Sequence, residues 1–196
     1  MRDGLTGLYN QTYLKSLLNQ KMQLRRRIDD TTSALLLLDL DYFKLYNDCC
    51  GHIAGDEALR IVADIIREQI REQDVAVRYG GDEFAVYLPN VTKTTAFAVA
   101  DRIRQAVEST GFPCQEKLAG RRLTTSSGIA FFSEGTIDVN TLIDLADREL
   151  YSAKRLLNDM SPSNYERIKS QIFVTQTKLN SVPVTGKPAA SGLFFS

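Results

Sequence analysis

The amino-acid sequence predicts an α+β fold, in which helices flank a central sheet that is mostly antiparallel. One observation is the wholly apolar run from Ala34 to Leu38, which is typical of a strand buried on both faces. A second is the Gly80-Gly81 pair between two alternating segments, at about 75–79 and 84–88, which is typical of a β-hairpin. Segments with helical spacing surround these strands, so helices are expected to cover the sheet.

Four segments carry apolar residues at helical spacing and predict helices. They span roughly 11–27, 55–71, 97–107 and 142–157. A further strand is predicted at about 122–132, because its residues are rich in β-branched and aromatic types. The predicted order is therefore helix, strand, helix, hairpin, helix, strand, helix.

The length predicts one domain, or one domain with a tail. Residues 1–158 are expected to form the domain. Residues 159–196 are rich in Pro, Ser, Thr and Asn and have no sustained periodicity, so a largely disordered C-terminal tail is expected.

The charge balance excludes one broad class of function. The 24 Lys and Arg residues equal the 24 Asp and Glu residues, so the net charge is zero. A long nucleic-acid groove usually carries a net basic field, and no nucleic-acid partner is expected. A small pocket for phosphates is still compatible with this composition.

No apolar run is long enough to span a bilayer and no signal-peptide pattern begins the chain, so no membrane segment is expected. The three cysteines are odd in number and Cys49 and Cys50 are neighbours, so a disulfide framework is not favoured and a reducing cytoplasm is the expected location. Cys49, Cys50 and His52 could form a metal cluster. Unpaired cysteines at a helix end are favoured, because a second ligand pair is missing.

Three acids predict a site for a divalent cation. Asp82 and Glu83 follow the two glycines at the hairpin tip, and Asp39 ends the buried strand, where an unpaired carboxylate is costly. Oxygen ligands from Asp39, Asp82 and the backbone carbonyl of Leu40 suit Mg²⁺, with Mn²⁺ as an alternative. The competing interpretation is that Asp39 and Asp41 cap the next helix.

Three motifs in order resemble the GGDEF domain, the diguanylate cyclase family, over about residues 3–158. The signature stands as Gly80-Gly81-Asp82-Glu83-Phe84. An opening turn stands as Asp3-Gly4-Leu5-Thr6-Gly7-Leu8-Tyr9-Asn10. Between them stands Asp39-x-Asp41-x-Phe43-Lys44-x-x-Asn47-Asp48-x-x-Gly51-His52-x-x-Gly55-Asp56.

The resemblance implies a palm-like fold, similar to that of nucleotide polymerases and nucleotidyl cyclases. It also implies an enzyme that condenses two GTP molecules into cyclic di-GMP and releases two pyrophosphates. Each subunit would hold one GTP, so a head-to-head homodimer is needed for catalysis. An activating sensory domain is expected to lie elsewhere in a longer protein or to be absent.

The resemblance also assigns catalytic roles. Asp39, the Leu40 carbonyl and Asp82 would hold Mg²⁺, and Asp82 would accept the proton of the attacking hydroxyl. Glu83 would support this acidic pair, and Lys44 would stabilise charge that develops on the phosphates.

Asn47, His52 and Asp56 match the positions that bind guanine, and Lys154 matches a contact to the triphosphate. A carboxylate at Asp56 can accept hydrogen bonds from the ring N–H and the amino group of guanine together, which disfavours an ATP-specific cyclase. The competing interpretations are a helix N-cap at Asp56 and a solvated surface lysine at position 154.

Arg71-x-x-Asp74 resembles the family's inhibitory site, where the product cyclic di-GMP binds and arrests catalysis. Two positions depart from the family pattern, where Gln11 and Asn158 each stand in place of Arg, and reduced GTP affinity is the expected consequence. The alternative function is a catalytically weak or inactive domain that binds GTP or cyclic di-GMP and regulates a partner.

Overall fold

The computed structural model describes residues 1–23, 32–118, 121–133 and 137–158, the last of these without its side chain. Within these ranges, five strands form one sheet: β1 (Tyr9–Asn10), β2 (Thr32–Asp41), β3 (Val75–Arg78), β4 (Glu83–Leu88) and β5 (Thr124–Ser133). The described residues also form five helices that cover the sheet: α1 (Gln11–Gln23), α2 (Phe43–Cys50), α3 (His52–Gln69), α4 (Lys93–Ser109) and α5 (Val139–Asn158). A 3₁₀ turn spans Gln115–Lys117.

The strand order in the sheet is β1-β3-β4-β2-β5. β1 is parallel to β3, and the other three pairings are antiparallel. The α+β fold class is therefore confirmed. β2 lies between β4 and β5, which explains why its sequence is apolar on both faces.

The two faces of β2 form the centres of two cores. Leu36 and Leu38 pack in the core that α2, α3 and α4 cover. Leu35 and Leu37 pack in the core that α1 and α5 cover. Because side chains alternate along a strand, Asp39 extends from the same face as Leu37, toward α5.

The hairpin at Gly80-Gly81 is confirmed, since β3 and β4 pair with Arg78 opposite Phe84. The predicted helix at 11–27 is observed as α1, which ends at Gln23, and residues 24–27 lie outside the described residues. The predicted tail at 159–196 also lies outside them.

The predicted helix at 55–71 differs from the structure at both ends. α3 begins at His52 and ends at Gln69, and a separate short helix, α2, precedes it. Gly51, with φ of 83°, separates the two helices. Glycine adopts this positive φ without steric cost, so one glycine breaks an otherwise helical segment in two.

The prediction of unpaired cysteines is wrong for Cys50, which forms a disulfide with Cys114. Cys49 is free and exposed. The two bonded residues are 64 positions apart, and spacing alone could not pair them. None of the described helices is both long and apolar enough to cross a membrane.

Candidate active site

The three predicted acids meet where β2 ends and the hairpin turns, and Asp39, Asp82 and Glu83 are called the acidic tip here. Asp39 lies directly opposite Glu83 in the β2–β4 register. The backbone N–H of Leu40 donates to the carbonyl of Asp82 at 3.2 Å. These pairings hold the end of β2 against the turn, so the acids share one edge of the sheet.

Gly80 allows the carboxylate of Glu83 to fold over the turn. A Cβ at position 80 would collide with Oε2 of Glu83 and lie 3.3 Å from its Cδ. The N–H groups of Tyr79 and Gly80 both donate to the carbonyl of Glu83, at 2.8 and 3.1 Å. A side chain other than hydrogen at position 80 would therefore displace Glu83.

Lys154 reaches the acidic tip from α5. Its Nζ forms an ion pair with Oδ1 of Asp39, and the Asp39 side chain is 14% exposed. α5 can approach the sheet closely because β5 carries Gly128. A Cβ there would collide with the backbone of Ala146 and Leu150. Lys154 is therefore not simply a solvated surface lysine.

The surroundings of Asp39 and Glu83 disfavour the ionised form of both carboxyl groups. Burial raises the pKa of Asp39 above its usual value, and the charge of Asp82 adds to this while Lys154 opposes it. Burial also raises the pKa of Glu83, and repulsion by Asp39 and Asp82 raises it further. A cation beside these carboxylates would relieve both effects.

The donors at the acidic tip fit a hard divalent cation. Asp39 and Asp82 interact electrostatically, and the contact between Leu40 and Asp82 places a backbone segment beside them. Carboxylate and carbonyl oxygens are the ligands that Mg²⁺ prefers, with remaining positions left to water and phosphate. Within the described ranges, no group of three or more His, Cys, Asp or Glu side chains could hold a metal by itself, and the predicted set contains only two carboxylates.

Asp41 forms hydrogen bonds within the sheet and does not cap a helix. It is 4% exposed and accepts hydrogen bonds from Thr124 Oγ1 at 2.7 Å and Ser126 Oγ at 2.8 Å. Burial raises its pKa to about 6. The N-cap of α2 is Tyr42, and no side chain of the described residues caps this helix. The interpretation of Asp39 and Asp41 as helix caps is therefore wrong.

The predicted guanine contacts surround the corner between α2 and α3. Asn47 lies on α2, while His52 and Asp56 are exposed residues on α3. The N-cap of α3 is Gly51, so Asp56 lies inside the helix and its interpretation as an N-cap is wrong. Lys44 is exposed on the first turn of α2.

Asn47 has an amide group with unused hydrogen-bonding capacity. Its Oδ1 is buried and has no hydrogen-bond partner among the described residues. Gly55 makes room for it, since a Cβ there would collide with Oδ1 and lie 3.0 Å from Cγ. A buried amide oxygen without a partner is costly unless a ligand supplies the donor.

A family model described as "Diguanylate cyclase, GGDEF domain" matches residues 1–159. The chain belongs to the GGDEF domain family.

Curated GGDEF relatives are similar over most of this chain. The diguanylate cyclase DgcP of Pseudomonas aeruginosa is 38% identical over 160 residues, which are 81% of this chain and 23% of that protein. The probable diguanylate cyclase DgcT of Escherichia coli is 34% identical over 153 residues, which are 78% of this chain and 33% of that protein. The chain thus spans a quarter to a third of the length of these relatives.

Solved GGDEF domains have the same fold. The GGDEF domain of PA1120 from Pseudomonas aeruginosa has a TM-score of 0.70 at 33% identity, covering 80% of this chain and 90% of that one. The coiled coil and GGDEF domain of DgcB from Caulobacter crescentus, in complex with c-di-GMP, has a TM-score of 0.68 at 30% identity, covering 79% and 80%. The prediction of a palm-like fold is confirmed.

Arg78 joins two motifs of this GGDEF domain, a role that the sequence did not predict. Its Nη1 pairs with Oδ1 of Asp3 at 3.2 Å, and its Nη2 donates to the carbonyl of Gly81 at 2.8 Å. The opening turn is thereby tied to the hairpin. The signal was present in the sequence, because both motifs were recognised, but their contact depends on the parallel pairing of β1 with β3.

The predicted inhibitory residues form a tight turn after α3. The N–H of Arg71 donates to Oδ2 of Asp74 at 2.9 Å, and the N–H of Asp74 donates to the Arg71 carbonyl at 3.0 Å. Arg102, on α4, hydrogen-bonds to the carbonyl of Gln69 and interacts electrostatically with Asp74. The structure therefore adds a second arginine to this cluster, which spacing along the chain could not reveal.

Two positions, Gln11 and Asn158, were predicted to depart from the family pattern. Gln11 is the first residue of α1, and Asn158 is the last residue of α5. The side chain of Asn158 lies outside the described atoms, so its predicted effect on GTP affinity stays a prediction.

Proposed function

We propose that this GGDEF domain is a cytoplasmic diguanylate cyclase that condenses two GTP molecules into cyclic di-GMP and two pyrophosphates. The observation that carries the proposal is the convergence of the acidic tip with Lys154 from α5. Acids that can hold a cation and a lysine that can meet phosphates are the parts that phosphoryl transfer requires. The names of the relatives DgcP and DgcT support the same activity.

Asp39, Asp82 and the carbonyl of Leu40 would hold Mg²⁺ or Mn²⁺. The ion would neutralise charge on the triphosphate when it is bound. A cation there would also relieve the repulsion by Asp39 and Asp82 that helps to raise the pKa of Glu83, and the repulsion by Asp82 that helps to raise the pKa of Asp39.

Asp82 is assigned as the acceptor of the proton from the attacking sugar hydroxyl. The hydroxyl oxygen of one GTP forms a bond to the α-phosphorus of the other, and the bond from that phosphorus to pyrophosphate breaks. Lys44 stabilises the charge that develops on the phosphate oxygens, and Lys154 contacts the triphosphate. The carboxylate of Glu83 folds over the turn in the space that Gly80 leaves, and it supports the pair of Asp39 and Asp82.

Asn47, Asp56 and His52 are assigned to the guanine base. The amide oxygen of Asn47, which has no hydrogen-bond partner in the described part of the chain, would accept from the base. The exposed carboxylate of Asp56 would accept from the ring N–H and the amino group. Adenine lacks this donor pair, so GTP is expected to be favoured over ATP.

The product contains two equivalent phosphodiester linkages, so each GTP must act once as nucleophile and once as electrophile. One copy of the chain carries one set of site residues, and we propose that two copies face each other as a homodimer. The rate per chain should then rise with protein concentration, because assembly precedes chemistry.

The test is to incubate the purified chain with GTP and Mg²⁺ over a wide range of protein concentrations and to measure cyclic di-GMP by chromatography. Asp82→Asn should lower the rate by at least about a hundredfold without lowering the melting temperature. Glu68→Gln, which changes an exposed acid on α3, is the matched control and should be fully active. If GTP binds but no product forms at any protein concentration, the catalytic proposal is wrong and the chain is a nucleotide-binding module.

A further inference from the structure

The disulfide between Cys50 and Cys114 lies at the guanine end of the candidate site. Cys50 is the last residue of α2, three positions after Asn47, and its Cα lies 5.9 Å from that of Cys114. Cys114 belongs to the loop between α4 and β5. The bond therefore ties the helix that carries Asn47 to a segment on another part of the domain.

α2 depends on its tertiary contacts for its position. It has only eight residues, two of them buried, Phe43 and Tyr46, and helices this short are not stable by themselves. Gly51 follows at φ 83°, so the chain turns sharply where the helix ends. A tether at Cys50 thus fixes the end of α2 that lies nearest to this turn.

The disulfide partner of Cys50, Cys114, has an unfavourable backbone conformation. Cys114 is a non-glycine residue at φ 63°, which costs free energy unless surrounding contacts compensate. The disulfide and the hydrogen bond from the Tyr46 hydroxyl to the Pro113 carbonyl are among the contacts that hold the loop of Cys114 to α2. Breaking the disulfide removes the covalent contact and favours relaxation of the loop.

Both bonded cysteines are partly exposed, so small thiols and disulfides can reach them. In the reducing cytoplasm proposed for this chain, disulfides are mostly transient or redox-sensing rather than permanent. A bond at this position is therefore better suited to a reversible role than to a structural one.

We propose that Cys50 and Cys114 form a reversible oxidation site that controls the affinity of the adjacent guanine pocket for GTP. The oxidised form holds α2 and Asn47 in place, and the reduced form binds GTP more weakly. The affinity part rests on the proposed binding of GTP and the reversible bond on the proposed cytoplasmic location, whereas neither part requires catalysis.

The chemistry is thiol–disulfide exchange with a low-molecular-weight disulfide. The thiolate of one cysteine attacks that disulfide, forming a mixed disulfide and releasing one small thiolate. The second protein thiolate then attacks the protein sulfur of the mixed disulfide and releases the other small thiolate. Two protein thiols are oxidised, one small disulfide is reduced to two thiols, and each proton lost from a protein thiol is taken up by a released thiolate.

The test equilibrates the full chain with mixtures of reduced and oxidised glutathione and counts free thiols by mass spectrometry after alkylation. The expected result is a reversible loss of two thiols, at Cys50 and Cys114, with a melting temperature roughly 5 to 10 °C higher in the oxidised form, because the bond closes a long loop. GTP affinity, measured by calorimetry without turnover, should be roughly fivefold higher in the oxidised form.

Cys49→Ser is the matched control, because Cys49 is exposed and unbonded one residue away, and it should retain the full redox response. Cys50→Ser and Cys114→Ser should each fix the chain in the weak-binding form under both conditions. The proposal is overturned if no reversible bond forms, or if the bond forms and GTP affinity is the same in both forms. If affinity responds but no cyclic di-GMP is made, only the catalytic proposal fails.

Discussion

Lys154 and Asp39 form an ion pair between the last helix and the central strand. The pair joins the end of the domain to the motif near its beginning, and it depends on the close approach of α5 at Gly128. The lysine is thereby held beside the carboxylates that are proposed to bind the cation, rather than extended into solvent. The packing of α5 against β5 places Lys154 near β2, and the charge of Asp39 holds its ammonium group there.

Lys154→Met is expected to raise the KM for GTP by about tenfold or more, since a charged hydrogen bond to phosphate contributes on the order of 2 kcal/mol. The substitution also removes the ammonium group that pairs with the mostly buried Asp39, so the melting temperature should fall. Arg155→Met is the matched control on the same helix, because Arg155 lies over the ring of Tyr151 instead. Steady-state kinetics and thermal unfolding of both variants check this. Equal KM values for Lys154→Met and the wild type would show that Lys154 does not serve the substrate.

The buried carboxylate of Asp41 predicts a specific dependence of stability on pH. Its pKa is raised from 3.8 to about 6 in the folded state, so between these values the folded chain binds more protons than the unfolded chain. The free energy of unfolding therefore falls as pH rises through this window. The contribution of this one group is about 3 kcal/mol, from about 1.4 kcal/mol for each pKa unit.

Asp41→Asn removes this titration, so the variant should gain stability relative to the wild type as pH rises from about 4 to about 6. Urea unfolding at several pH values measures the difference between the two curves. Asp48→Asn, at an exposed position on α2, is the control. A wild-type and an Asp41→Asn curve that run parallel across this range would contradict the prediction.

The sequence predicted those parts of the site that depend on local pattern. The buried strand before Asp39, the hairpin at Gly80-Gly81 and the acids around them follow from alternation and glycine placement within a few residues. The motif also indicated Asn47 and Asp56 as candidate guanine contacts. It did not predict that the helix divides into α2 and α3 at Gly51.

Contacts between distant segments could not be predicted in this way. The ion pair of Lys154, the bond from Cys50 to Cys114 and the clamp of Arg78 on Asp3 each join residues that only the folded sheet brings together. The sequence shows the residue types, but periodicity does not specify which helix lies over which strand. Asp41 is a further example, since its hydroxyl partners Thr124 and Ser126 come from β5.

Gly55→Ala is expected to weaken GTP binding without weakening the fold. The new methyl group would collide with Oδ1 of Asn47, and the flexible amide would rotate away from its observed place. The KM for GTP should rise about tenfold. The melting temperature should be unchanged or higher, since alanine favours a helix interior by up to about 1 kcal/mol over glycine.

Gly4→Ala is the control for Gly55→Ala, because a Cβ at position 4 meets open space. Calorimetric GTP binding and thermal unfolding distinguish the effects. If Gly55→Ala lowers stability and affinity together, the glycine serves packing rather than the placement of Asn47.

Arg71→Ala is expected to relieve inhibition by cyclic di-GMP, raising the inhibitory concentration by about tenfold, as expected when one charged contact to phosphate or guanine is lost. The exposed side chain of Arg71 is changed, while its backbone bonds to Asp74 are retained. The turn should therefore persist, and the rate at low product concentration should be the same as for the wild type. Glu72→Ala alters an exposed neighbour in the same loop and should leave inhibition intact. Initial rates measured with increasing added cyclic di-GMP decide between the outcomes, and unchanged inhibition of an active Arg71→Ala variant would place the regulatory site elsewhere.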